Sequence, residues 1–181
     1  MSLYEVFEGI EDPRRKEGLR TTLPQLLCMI IISNLCGHFG GRPISRFYKL
    51  YEATFRKELG LKHRVPSHVI FSDILKRIDS KELIMFFNKW AKDFVPLEKG
   101  DLVSGDGKAL ASTVTDHHEN TQNFQAVVSV FCQESGLVRA IGEYQNNKQS
   151  EIDIVRFLVV QLSDMGLVFC LDALHTQKNG R

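Results

Sequence analysis

The stretch LVSGDGKALAS (residues 102–112) sets Asp106 between two glycines, with Lys108 two residues further on. A second aspartate, Asp172, closes another apolar run in VFCLDAL (168–174). Two carboxylates at neighbouring strand ends suit hard divalent cations, because Mg²⁺ prefers carboxylate oxygen and water and leaves coordination positions open for phosphate. Two such ions about 4 Å apart activate an attacking oxygen and stabilise a leaving one in phosphodiester chemistry. Other readings of the glycines fare worse. A P-loop needs GxxxxGK[ST], whereas GDGK is followed here by Ala109; a dinucleotide fingerprint needs a third glycine where Leu110 stands. An aspartate at a strand end also serves as a turn or cap residue, so a structural role stands beside the metal role. Lys108 and His175 are candidates for phosphate contact, and Gln177 follows Asp172 closely enough to line the same cleft; a solvated lysine and a turn histidine are the plain alternatives. His117 and His118, with Asp116 and Glu119, read as a solvated polar loop rather than as a metal cluster.

The elements that must carry these residues change rhythm along the chain. The first half reads as helices: Leu23–Leu35, then a stripe of Ile44, Phe47, Tyr48, Tyr51, Phe55 and Leu59 at three- and four-residue steps, which predicts one helix over 44–59. Arg42, Arg46, Lys49, Arg56 and Lys57 then fall on the opposite arc, a candidate DNA-binding face and equally the polar side of any exposed helix. A further helix is expected from Ser67, a candidate second helix of a helix-turn-helix-like unit, and another from about Asp79, with Glu82 three residues on as a capping partner. PLEKGD (96–101) has the composition of a linker. Beyond it, three apolar strands (101–108, 124–133 and 137–145) precede a helix capped by Ser150 and stopped by Gly166, and a final strand runs over 167–173. A helical crossover makes that strand parallel to an earlier one. The fold class expected is α+β, with domains at 1–97 and 101–181.

Composition supports an ordinary folded protein, with 43% hydrophobic and 25% charged residues. The run LPQLLCMIIISNL is too short and too polar for a bilayer span, and no secretory signal opens the chain, so a cytoplasmic protein without membrane contact is expected. The four cysteines are widely spaced in apolar surroundings and read as free buried thiols. The net charge of +1 hides an asymmetry: residues 1–100 hold 17 Lys/Arg and 12 Asp/Glu, whereas residues 101–181 hold 6 and 10. A basic half joined to an acidic half suggests a polyanion-binding part beside a carboxylate-bearing one; fluctuation of surface charge along the chain would also give it.

Five blocks, DPRRKEGLR (12–20), PSHVIFSDILKRIDSKEL (66–83), SGDGKALAS (104–112), NKQSEI (147–152) and LDALHTQK (171–178), occur in the order of a known family. The chain resembles the insertion-sequence DDE transposases of the H-repeat-associated type. The resemblance implies a helical transposase-associated domain followed by the first part of a ribonuclease H-like domain, with Asp106 and Asp172 as the first two catalytic acids. It implies two Mg²⁺ (or Mn²⁺) ions, DNA at the element's ends as partner, and a homo-oligomer or an intact transposase as a protein partner. Gly105 and Gly107 are then expected to let backbone and phosphate approach Asp106 closely. Two departures stand out. Gln149 and Ser150 differ from the usual Lys, Ser or Thr, Asn, Glu, Ile pattern, and the sequence ends at Arg181 before the family's third acid, a glutamate on a later helix. Glu151 precedes Asp172 and is expected to serve its own helix N-terminus rather than to replace that glutamate. The expectation is therefore a transposase-family protein for DNA transposition that is catalytically weak or inactive, the alternative being a non-catalytic DNA-binding remnant that regulates an intact transposase.

Overall fold

The computed structural model describes residues 2–110, 113, 123–146 and 148–171. Contacts divide the chain into two compact units, Met1–Phe86 and Phe87–Arg181.

The first unit is helical. Ser2 and Glu5 form a capping box that starts α1 (Leu3–Phe7). A second box, Thr22 with Gln25, starts α2 (Leu23–Leu35), with Pro24 in the first turn where its missing N–H costs nothing. Leu26, Met29 and Ile30 of α2 are buried among Ile44, Tyr48, Phe71 and Ile74. α2 is thus a core helix, and among the described residues no helix is long and apolar enough to cross a membrane. Tyr48 brings a hydroxyl into this core and donates it to the Met29 carbonyl at 2.8 Å, while burial pushes its phenol pKa upward.

The single helix expected over 44–59 is two helices, α3 (Gly41–Leu50) and α4 (Glu52–Glu58). Tyr51 between them leaves the helical region, at φ −119° and ψ 35°. Ring packing accounts for the departure. Phe55 lies against Tyr48, with ring centroids 4.4 Å apart, and also against Phe47, whereas Tyr51 is left exposed. The stripe therefore does not bury as one face. α5 (His68–Arg77) crosses close to the start of α3. A Cβ on Gly41 would stand 2.1 Å from the Ser72 hydroxyl and 2.6 Å from the His68 carbonyl, so only glycine permits this approach. The Asp79 carboxylate caps the next helix, α6 (Ser80–Phe94), by accepting from Lys81 N–H at 2.9 Å. Glu82 accepts from the Glu11 backbone N–H.

The division between units falls within α6. In the second unit, β1 (Leu102–Ala109), β2 (Gln125–Cys132) and β3 (Val138–Gln145) form antiparallel pairs. After α7 (Glu151–Leu162) and a 3₁₀ turn, β4 (Val168–Cys170) returns parallel to β1. The sheet order is β3-β2-β1-β4. The expected α+β class, with three strands, a helix and a fourth strand, is what the chain adopts. Ser150 and Asp153 close a capping box at the start of α7, and Gly166 ends the turn after it with a left-handed φ of 65°. α7 packs its Ile154 and Leu158 over Gly142, where a Cβ would lie 2.7 Å from the Ile154 methyl. Segment 96–101 is more tightly held than its linker composition suggests: Leu97 is buried with the sheet core, and Glu98 N–H donates to the Asp101 carboxylate at 2.8 Å.

Three of the four thiols depart from the buried reading: only Cys132 is buried, and Cys28 is half-buried. All are free, but Cys36 and Cys170 are exposed; each stands at the end of an element, where apolar neighbours in sequence give no cover.

Candidate functional site

Asp106 lies in the middle of β1, opposite Ser129 of β2. β1 is an interior strand with β4 on its other side. Successive strand residues alternate faces, so Ser104, Asp106 and Lys108 share one face of the sheet and Gly105 and Gly107 share the other. Asp106 and Lys108 are both exposed, available to solvent and to an anionic or metal-bearing partner.

The glycines do something different from what the sequence suggests. A Cβ on Gly107 would come within 2.4 Å of the Glu151 carboxyl carbon, and a Cβ on Gly105 within 3.0 Å of a Leu171 methyl. The space beside the strand is taken by the protein's own side chains rather than left for a phosphate. Glu151, at the first position of α7, also receives the Tyr144 hydroxyl at 3.4 Å. Burial and the Glu151 charge both raise the Tyr144 phenol pKa. By strand alternation, Glu151 sits on the face of the sheet opposite to Asp106.

Asp172, His175 and Gln177 lie outside the described residues, as do Asp116, His117, His118 and Glu119. Among the described residues no three His, Cys, Asp or Glu side chains are grouped to hold a metal ion.

In the first unit the five cations of the expected DNA face are all exposed. The break at Tyr51 leaves Arg42, Arg46 and Lys49 on α3 and Arg56 and Lys57 on α4. On α3 the three fall at i, i+4 and i+7, one side of the helix. Among the described residues the ion pairs are Arg14 with Asp12 and Arg77 with Asp73, so none of these five is in an ion pair.

The DPRRKEGLR block forms a stapled loop. The Arg14 fork bonds Asp12 at 2.9 and 2.7 Å and donates to the Thr21 carbonyl at 2.9 Å. Arg77 reaches the Pro13 carbonyl from α5. The Arg14 hydrogen bonds hold the Asp12 carboxyl below its ordinary range. Arg15, Lys16 and Arg20 remain exposed on this loop. A cleft of about 580 Å³ beside it is lined by Arg20, Lys62 and His63, with Glu8 and Asp12.

A helical unit with exposed cations, joined in sequence to a mixed sheet bearing an exposed aspartate on an interior strand, defines an α+β protein. The family comparison is more specific: residues 4–91, just under half of the chain, match the DDE_Tnp_1-associated family. The chain therefore carries a DDE transposase-associated region. No curated protein and no solved structure matches it. Sequence reading missed the Glu151 contact with Gly107, the Asp12–Arg14 staple and the exposed ring of Phe39. The last had a local signal, a phenylalanine inside the glycine-rich GHFGG.

Proposed function

We propose that this is a transposase-family protein acting in DNA transposition, with a DNA-binding helical domain over residues 1–97 and, over 101–181, the beginning of a ribonuclease H-like catalytic domain. The family match of the helical unit supports the class. The catalytic reading is carried by one observation, the register of β1 against β4. Leu102 pairs with Val168, Val103 with Phe169 and Ser104 with Cys170, each partner 66 positions on, the separation of Asp106 from Asp172. We propose that this same separation brings Asp172 beside Asp106.

Carboxylate oxygens are the donors Mg²⁺ and Mn²⁺ prefer, and Asp106 is accessible to them. Asp106 and Asp172 would hold the ions, which when bound supply activation of a water for phosphodiester cleavage and charge stabilisation of the leaving oxygen. Lys108, on the same face as Asp106, would orient a phosphate, and His175 would line the cleft. Mn²⁺ titration followed by electron paramagnetic resonance tests the site. Binding weakened by both Asp106→Asn and Asp172→Asn supports it; binding that neither substitution changes overturns it.

A second reading, a non-catalytic DNA-binding protein that occupies element ends or interferes with an intact transposase, is favoured by the helical unit having a hydrophobic core of its own. Gel-shift titration at two salt concentrations separates the readings from a protein with no nucleic-acid partner, which would show no binding even at low salt.

A further inference from the structure

We propose that Phe39 is a base-contacting residue, its ring stacking on a nucleobase of the DNA whose phosphates Arg42, Arg46 and Lys49 hold. The inference rests on the DNA-binding reading above and adds a second kind of contact to it.

The connection between α2 and α3 turns at two glycines with left-handed φ, Gly37 at 81° and Gly40 at 82°. What lies between them is tied down. Gly37 N–H donates to the Asn34 carbonyl at 3.0 Å and His38 N–H to the Ser33 carbonyl at 2.9 Å. The Ser33 hydroxyl returns a bond to the His38 carbonyl at 3.3 Å. The His38 ring lies on Phe47 of α3, with centroids 4.8 Å apart and planes at 32°. The loop is thus folded against the first turns of α3, and the residue after this anchor, Phe39, is left 68% exposed.

Arg42 follows Phe39 by three residues and begins the row completed by Arg46 and Lys49. Charge selects the partner: no ion pair neutralises these cations among the described residues. An exposed ring three residues before this row suits a ligand that is both aromatic and polyanionic. Nucleic acid is both, since every base offers a π-face for stacking while the backbone supplies the charge. The fixed loop lowers the ordering cost of such a contact. Cation contacts to phosphate weaken with salt, whereas a stacked ring does not, so the two contributions can be measured apart.

The test uses the full chain with a duplex carrying an unpaired 2-aminopurine, titrated at several salt concentrations. Phe39→Ala is expected to weaken binding about ten-fold, to leave the salt slope unchanged, and to abolish quenching of the 2-aminopurine. Phe39→Tyr should restore both affinity and quenching; Phe39→Leu should restore neither. Salt-dependent binding by the parent chain that Phe39→Ala leaves intact, or that Phe39→Leu fully sustains, overturns the base contact while leaving the DNA-binding reading standing. Absence of binding by the parent chain even at low salt overturns both. Phe39 buries little of its surface, so circular dichroism of every variant should match that of the parent.

Discussion

Asp12 shows how one residue sets a condition on the helical unit. Its folded carboxyl titrates below the unfolded value because Arg14 bonds it. A group with a depressed folded pKa contributes stability that is present above the unfolded pKa and is lost as pH falls through the folded one. Thermal stability of the helical unit should therefore drop as pH falls through and below the ordinary aspartate range. Asp12→Asn should remove that part of the acid dependence, as measured by melting against pH. Asn88 makes a comparable case in the sheet unit: its amide donates to the Ile141 carbonyl and accepts the Ile141 N–H, each at 2.8 Å. Asn88→Ala strips both bonds from the strand and should cost about 2 kcal/mol in urea unfolding. The role of Asn88 was not legible in the sequence, because Asn88 and Ile141 are far apart in the chain and nothing in the helical pattern of α6 marks a residue that bonds a strand. Asp106, by contrast, stood out from its flanking glycines, although these proved to admit Glu151 and Leu171.

At the scale of elements, what could be read was what local chemistry decides. Thr22 with Gln25 and Ser150 with Asp153 start helices where the sequence places them, since a capping box needs only residues three apart. Ser150→Ala should cost about 1 kcal/mol of sheet-unit stability, measured by chemical denaturation. The break at Tyr51 was invisible because a continuous helix and a broken one share the same apolar spacing; the choice is made by Phe55 finding the Tyr48 ring. Gly41 belongs to this class of long-range causes. Gly41→Ala drives a methyl into the His68 carbonyl, a backbone atom that cannot step aside, and should lower stability by about 1–3 kcal/mol in thermal unfolding.

For the whole molecule, the uneven charge along the chain matters more than its net value. Each phosphate neutralised contributes a slope of about −0.9 to log K against log salt on duplex DNA. Replacing Arg42, Arg46 and Lys49 together by alanine should flatten that slope by about 3, read by fluorescence anisotropy across salt. The two hydrophobic clusters, one around Leu26, Met29 and Phe71 and the other around Val103, Val128 and Leu158, share no buried residue. Their separation was foreshadowed by the change of rhythm from helical stripes to alternating strands.

The Asn88 amide has a directional effect on the sheet. By occupying the outward N–H and carbonyl of Ile141, it closes the β3 margin at that point to any incoming strand, while the opposite margin is β4, whose Val168 is 54% exposed. Addition of a further strand to β3 is therefore blocked at Ile141.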